Sequence, residues 1–211
     1  MASSPAPRHE PNIGTGRIET FSDGVFAIAI TLLILEIGVP KLSGDQSLGD
    51  ALTGLWPDYF AYVLSFVMIG IYWANHHFVC RLFARSDHFF LMLNVFFLMC
   101  IAFVPFPTAV LGEYLRESDE RQAAVAFYAF GLLLPAIGWL GFWLYANARR
   151  LLDQRLAPAY VRFLTLQYLL SLIPYTVAFA VSFASAWTAL GICVGFTALY
   201  LLPPRRAQYV E

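Results

Sequence analysis

The chain has 211 residues, of which 59% are hydrophobic and only 13% are charged, and its formal net charge at pH 7 is −1. A soluble globular protein carries charge on about a quarter of its residues, so this composition excludes a soluble protein and indicates an integral membrane protein. The near-neutral balance also argues against a nucleic-acid partner, which would require a clustered basic surface.

The first 16 residues are polar and rich in Pro, Gly and Ser, and they lack the basic and then apolar pattern of a cleaved signal peptide. We expect a flexible tail over residues 1–16. The three cysteines, Cys80, Cys100 and Cys193, lie in or beside apolar segments without CxxC or Cys/His ligand spacing. This pattern predicts neither a disulfide framework nor a metal site.

Six apolar windows long enough to cross a bilayer follow in the sequence. We place them at residues 19–39, 55–79, 89–111, 122–146, 161–183 and 187–202. The last window is the shortest, and Pro105 and Pro107 should bend or end the third. The predicted fold class is therefore an all-α membrane protein, with one domain of six transmembrane helices over residues 17–204 and a short tail over residues 205–211.

Lys and Arg are distributed unequally between the two sides of these windows. Ten fall on the side of both termini: Arg8, Arg17, Arg81, Arg85, Arg149, Arg150, Arg155, Arg162, Arg205 and Arg206. Three fall on the other side: Lys41, Arg116 and Arg121. Because positively charged loops remain in the cytoplasm, both termini and both tails are predicted to be cytoplasmic. The opposite side collects Asp and Glu residues and would concentrate cations.

Asp23 lies about one and a half helical turns into the first helix, and the 12 residues after it contain no ionisable group. A carboxylate inside the hydrocarbon layer is costly, and this marks Asp23 as a functional or structural site. His77 and Asn94 in the next two windows lie at a similar depth, about 6 to 10 Å from the cytoplasmic border at helical rise. We therefore expect Asp23 and Ser22 to hydrogen-bond with the second and third helices.

Trp73 and His77 are spaced i, i+4 and share one face of the second helix, so the indole N–H and the imidazole point the same way. This polar cluster has two interpretations: it fixes how three helices pack, or Asp23 and His77 relay protons. The structural interpretation is favoured, because a proton pathway usually shows a chain of such groups and the outer half offers little beyond Glu36. His76 is interpreted as a polar neighbour rather than a metal ligand.

At 100° per residue, the first helix has two faces. One face contains the carboxylate and comprises Asp23, Ala27, Ile30 and Ile34. The other lies on roughly the opposite side and comprises Ile28, Thr31 and Leu35. If the carboxylate turns toward its own bundle, the second face meets either lipid or another subunit, and periodicity alone favours lipid.

The first helix opens with Arg17-x-x-x-Phe21-Ser22-Asp23. This sequence resembles the RxxxFSD signature of the transmembrane protein 175 family, which comprises the endolysosomal potassium channel and its bacterial homologues. Three further features are similar to bacterial members: Tyr72-Trp73-x-x-His76-His77, Asn94 and Pro105-Phe106-Pro107. The resemblance covers nearly all of residues 17–202, but it is architectural only in the last three windows.

The resemblance implies a modestly potassium-selective cation channel, in which four copies of the chain surround a central pore lined by the first helix. In that family, selectivity comes from rings of apolar side chains, and this sequence agrees in lacking a TVGYG-like carbonyl filter. By position, Ile28 would form the narrowest ring, Thr31 a hydroxyl ring and Leu35 a second apolar ring. Glu36 would raise the cation concentration at the outer mouth.

We assign seven residues to a structural polar network around the signature: Arg17, Phe21, Ser22, Asp23, Trp73, His77 and Asn94. The implied partners are other copies of the chain in a homotetramer, monovalent cations and membrane lipid. No cofactor is implied beyond the permeating potassium ion. The implied location is a bacterial plasma membrane, which the chain crosses several times.

Two other functions remain open from the residues. A proton-coupled secondary transporter would use Asp23, His77 and Glu36, but six windows without a visible inverted repeat provide no obvious site between two halves. An intramembrane enzyme would use Asp23 or His77 as acid and base. No nucleophile elbow, HExxH sequence or paired catalytic carboxylate accompanies these residues, so we do not expect an enzyme.

Overall fold

The computed structural model describes residues 15–42, 44–202, 205 and 207–210. Residues 1–14 of the expected N-terminal tail lie outside the described residues, as do Arg8 and Arg206 of the basic set. Within the described part, all regular structure is helical, and extended backbone pairs only in two isolated bridges.

The first helix continues as a short 3₁₀ turn, and seven further α-helices follow it in the described part of the chain. The elements are α1 (Thr15–Leu32) with the 3₁₀ turn Leu33–Glu36, α2 (Leu48–Gly54), α3 (Trp56–Cys80), α4 (His88–Phe103), α5 (Pro105–Tyr114), α6 (Arg121–Ala148), α7 (Pro158–Ser182) and α8 (Ala186–Tyr200).

Among the described residues, five helical segments are long and apolar enough to cross a membrane: Gly16–Glu36, Trp56–Cys80, His88–Tyr114, Arg121–Ala148 and Pro158–Ser182. They coincide with the first five predicted windows, so the all-helical membrane class is confirmed. The sixth window holds α8, which is apolar but has 15 residues. At helical rise it is about 22 Å long, shorter than the roughly 30 Å hydrocarbon layer of a bilayer.

Local chemistry sets the ends of the helices. Asp87 caps α4, because its carboxylate accepts a hydrogen bond from the backbone N–H of Phe90 at 2.8 Å. The third predicted window is divided at Val104, where α4 ends and Pro105 begins α5. Proline lacks a backbone N–H and fits the first turn of a helix, so it starts a new helix where it would interrupt a continuous one.

The central helix of the bundle is α6, which packs against α4, α5, α7 and α8. Its side chains Tyr128, Phe142 and Trp143 are fully buried. Pro107 of α5 lies directly against Gly131 of α6, where an added Cβ would stand 2.5 Å from the proline ring. This close approach requires glycine, since any larger residue would push α5 away. By contrast, α1 lies at the edge of the bundle and packs on α3 and α4.

Three segments rich in arginine meet at one end of the bundle. Ala84 in the loop after α3 donates a backbone hydrogen bond to Leu151 in the loop after α6, at 2.9 Å. The residues of the expected C-terminal tail reach the same loop, because the N–H of Ala157 donates to the carbonyl of Gln208 at 2.9 Å. The α6–α7 loop therefore holds both the end of α3 and the segment that follows α8.

Candidate functional site

The buried side of α1 differs from the side predicted by periodicity. The buried stripe comprises Ile18, Ser22, Phe26, Ala29 and Leu33. Asp23 is only half-buried, and Ala27 and Ile34 are exposed. The expected inward face of Asp23, Ala27, Ile30 and Ile34 was therefore wrong by about one residue, which is about 100° of rotation. A neutral hydroxyl is less costly to bury than a carboxylate, so Ser22 faces the core and Asp23 lies beside it.

A chain of hydrogen bonds, which we call the inner cluster, joins four buried side chains: Ser22, Asn94, His76 and Cys80. The amide nitrogen of Asn94 donates to the Ser22 hydroxyl at 3.1 Å. The amide oxygen of Asn94 lies 2.9 Å from Nε2 of His76, and Nδ1 of His76 lies 3.5 Å from the Cys80 sulfur. Since the Asn94 oxygen can only accept, Nε2 of His76 carries the hydrogen and Nδ1 accepts from the Cys80 thiol.

Two aromatic side chains stack with the imidazole of His76. The ring lies nearly parallel to Phe97 at 6.0 Å between centroids and to Phe142 at 6.3 Å. His76 has no exposed surface. Because stacking fixes the ring plane and Asn94 fixes one nitrogen, the inner cluster sets the distance and rotation between α1, α3 and α4.

A second group, the edge cluster, lies beside the first at the margin of the same helices and comprises Glu19, Asp23, Trp73, His77 and Arg81. The indole N–H of Trp73 donates to the Asp23 carboxylate at 2.9 Å. Nδ1 of His77 lies 2.5 Å from the Glu19 carboxylate, and Nε2 of His77 lies 2.6 Å from the Arg81 guanidinium. Trp73 and His77 stack at 6.2 Å between ring centroids. This cluster joins α1 to α3 by two parallel links.

The structure thus distributes the predicted network between two clusters. Ser22 and Asn94 belong to the inner cluster, whereas Asp23, Trp73 and His77 belong to the edge cluster. The remaining predicted members, Arg17 and Phe21, are exposed on α1 and belong to neither cluster within the described part of the chain.

Sequence reasoning missed Glu19 and the importance of His76. A signal for Glu19 was present: Glu19 and Asp23 are spaced i, i+4 on α1, just as Trp73 and His77 are on α3. When two helices run antiparallel, the first residue of an i, i+4 pair on one helix lies beside the second residue of the pair on the other. Glu19 therefore meets His77, and Asp23 meets Trp73. His76 was part of the quoted Tyr72-Trp73-x-x-His76-His77 sequence, but no matching spacing indicated its pairing with Asn94.

The face of α1 away from both clusters is apolar and uncovered in a single chain. Ile28 is 61% exposed and Leu35 is 73% exposed. Thr31 lies between them, and its hydroxyl donates to the backbone carbonyls of Ala27 and Ile28 at 2.9 Å each. The oxygen lone pairs of Thr31 therefore remain free to accept a hydrogen bond or to contact a cation. Glu36 is exposed at the end of the 3₁₀ turn.

Comparison with known proteins gives consistent matches. The profile of one protein family, described as the endosomal/lysosomal potassium channel TMEM175, matches residues 17–105. A potassium channel of Chamaesiphon minutus is 48% identical over 182 residues, which cover 85% of this chain and 89% of that protein. A potassium channel of Streptomyces collinus is 43% identical over 187 residues, which cover 88% of this chain and 90% of that protein.

One solved structure extends the similarity from sequence to fold. The crystal structure of a lysosomal potassium-selective channel TMEM175 homolog from Chamaesiphon minutus superposes with a TM-score of 0.80 at 43% sequence identity. The match covers 89% of this chain and 96% of that one. The similarity therefore includes α6 to α8, where the sequence offered no specific motif.

Proposed function

Since this chain belongs to the TMEM175 family, we propose that it is a potassium channel in which four copies surround a central pore lined by α1. Its relatives are ion channels, and it is not an enzyme. The observation that carries the pore assignment is the exposed face of α1, because Ile28, Thr31 and Leu35 lie opposite the side that the two clusters hold.

The course of the chain supports six crossings per subunit, with both ends on one side. The edge cluster places the start of α1 beside the end of α3, and Gln208 reaches the loop before α7. Since α7 leaves this end of the bundle and the chain returns to it after α8, the short α8 completes the sixth crossing. The arginines at this end favour the cytoplasm.

The chemistry of the α1 face suits a pore that selects among cations by dehydration. A ring of four Ile28 side chains offers no oxygen ligands, so an ion must shed part of its water to pass, and potassium does so more readily than sodium. The Thr31 hydroxyls would replace some of the lost ligands, and Leu35 would form a second apolar ring. An apolar constriction also closes by losing its water, so Ile28 is a gate as well as a filter.

The alternative function is a proton-coupled transporter that uses Asp23, His77 and Glu36. The contacts in the described chain favour the channel. Asp23 is bonded to an indole N–H, which does not titrate, and His77 is bonded to Glu19 rather than to Asp23. These pairings act laterally between α1 and α3, so we assign both clusters a structural role.

The test is single-channel recording of the purified protein in bilayers under potassium/sodium bi-ionic conditions. We expect unitary currents, and we expect Ile28→Ala to raise conductance and to move the reversal potential toward zero. The matched control is Ile173→Ala on α7, which makes the same truncation at a residue that is 54% exposed. This control should conduct as the parent does.

Two results would overturn the proposal. Saturable exchange of ions without unitary currents would identify a transporter. An unchanged reversal potential in Ile28→Ala, with tetramers intact by size-exclusion chromatography, would place the permeation pathway away from this face of α1.

A further inference from the structure

A groove between α7 and α8 lies away from the helix that we assign to the pore. It encloses about 420 Å³. Its apolar lining comes from two helices: Phe163, Leu166 and Leu170 of α7, with Phe196 and Leu199 of α8. Asn75 of α3 also lines it. The α7 residues are spaced i, i+3, i+7 and therefore share one face of that helix.

Among the described residues that line this groove, Arg205 alone is charged, and it lies at the arginine-rich end. The guanidinium carbon of Arg205 stands 4.5 Å from the centroid of the Phe163 ring. The hydroxyl of Tyr160 donates to the backbone carbonyl of Arg205 at 3.1 Å, which fixes the chain at this point. Among the described residues that line the groove, none is acidic. The groove therefore attracts an anion at this end.

Polar side chains line the groove below the arginine. Gln167 is one helical turn from Phe163, about 6 Å deeper in the membrane, and Ser171 is a further turn away. Tyr200 of α8 also lines the groove. The groove thus presents a cation at the membrane surface, hydrogen-bonding groups below it, and apolar walls along its length.

We propose that this groove binds an anionic phospholipid from the leaflet on the arginine-rich side of the membrane. The phosphate pairs with Arg205, the ester oxygens accept a hydrogen bond from the Gln167 amide, and an acyl chain lies along the leucine side chains. Basic pockets between transmembrane helices are suited to such headgroups.

The position of the groove favours lipid over a second copy of the chain. α1 packs on α3, α4 and α5, whereas α7 packs on α6 and α8, and α8 packs on α6, α7 and α3. An assembly around the exposed face of α1 therefore leaves the α7–α8 side toward the bilayer. A neighbouring subunit would need to reach around the bundle to cover it.

The test is native mass spectrometry of the full chain released from vesicles with equal amounts of phosphatidylglycerol and phosphatidylcholine. We expect retention of phosphatidylglycerol in preference to phosphatidylcholine. Arg205→Gln should lower this retention about five-fold, which corresponds to the loss of one basic contact near the surface. Arg205→Lys should keep most of it, and Leu199→Trp, which fills the groove, should lower retention of both lipids.

The matched control is Arg162→Gln, because Arg162 is also exposed at the start of α7 but does not line the groove. It should retain lipid as the parent does. Three results would overturn the proposal. The parent could retain the two lipids equally, Arg205→Gln and Arg162→Gln could lose phosphatidylglycerol equally, or Arg205→Gln could lose none. A disulfide between subunits in the Leu166→Cys variant would also overturn it, since a second copy would then cover the groove.

Discussion

Two neighbouring residues show how the first helix is fixed. Ser22 is fully buried and accepts a hydrogen bond from Asn94, whereas Asp23 is half-buried and accepts one from Trp73. A buried carboxylate needs several compensating partners, while a buried hydroxyl needs only one or two. The order Ser-Asp therefore determines which side of α1 enters the core, and it rotates the helix so that Ile28 faces outward.

The inner cluster predicts a marked difference between two asparagines. Asn94→Ala removes the bonds to the Ser22 hydroxyl and to Nε2 of His76 and leaves these two buried groups without that partner. We expect a loss of about 1–3 kcal/mol in the free energy of unfolding. Asn75→Ala is the matched control, since Asn75 donates only to the backbone carbonyl of Ile71 and is half-buried. Unfolding in detergent by denaturant would measure both, and an equal loss in the two variants would contradict a structural role for the inner cluster.

At the scale of the helix, the outward face of α1 combines two kinds of surface. Ile28 and Leu35 are apolar, and Thr31 between them has free oxygen lone pairs. A helix that faced only lipid would gain nothing from a hydroxyl at this place, because its hydrogen is already bonded to the preceding turn. In a pore, by contrast, the Thr31 oxygen could contact the permeating ions.

A pair of substitutions at Thr31 tests whether its oxygen contacts the permeating ion. Thr31→Val keeps the shape of the side chain and removes the oxygen from every subunit, so we expect potassium conductance to fall about five-fold, equivalent to a net loss of about 1 kcal/mol in the stabilisation of the ion. Thr31→Ser retains the oxygen and should conduct nearly as the parent does. Single-channel conductance measures both variants. If the two variants conduct equally, the Thr31 oxygen does not contact the ion.

The sequence was sufficient to locate the helices along the chain, but it did not predict which faces of the helices contact one another. Hydropathy located five long helices and the short α8, and the prolines at 105 and 107 indicated the break between α4 and α5. The rotation of α1 was wrong because periodicity treats Asp23 as the polar residue that faces the bundle. The choice between Ser22 and Asp23 depends on Asn94 and His76, which come from other helices and meet only in the folded chain.

At the scale of the whole molecule, the loop between α6 and α7 joins the chain segments that meet at the arginine-rich end of the bundle. It binds the end of α3 through Leu151 and the C-terminal segment through Ala157 and Arg155, whose carbonyl accepts from Val210 at 2.8 Å. Within the loop, the Arg155 guanidinium pairs with the Asp153 carboxylate at 2.7 Å. The C-terminal residues 207–210 are thus held by a loop whose shape depends on an ion pair.

This ion pair predicts a dependence on acidic pH. Hydrogen bonds and charge from Arg155 lower the pKa of Asp153 to about 2, compared with about 3.9 in an unfolded chain. The stabilisation is therefore fully present above about pH 4 and is lost as the pH falls through about 2. We expect the Val210 amide to exchange its hydrogen more slowly in the parent than in Asp153→Asn at pH 5.

The difference in Val210 exchange should fall to about half near pH 2, where about half of the Asp153 carboxyls of the parent are neutral. Hydrogen–deuterium exchange with mass spectrometry, with both proteins compared at each pH, cancels the intrinsic effect of acidity on exchange. A difference of the same size at pH 5 and pH 2 would show that Asp153 acts through its shape rather than its charge.

The inner and edge clusters have a consequence for how the oligomer is built. The bonds described for these clusters join residues of one chain, so they can orient the first helix of a subunit without a contact from another subunit. Association of the subunits then needs no change in the orientation of α1. A subunit substituted only at Ile28 should therefore assemble with unaltered subunits as readily as an unaltered subunit does. Every mixed oligomer would then show altered conduction.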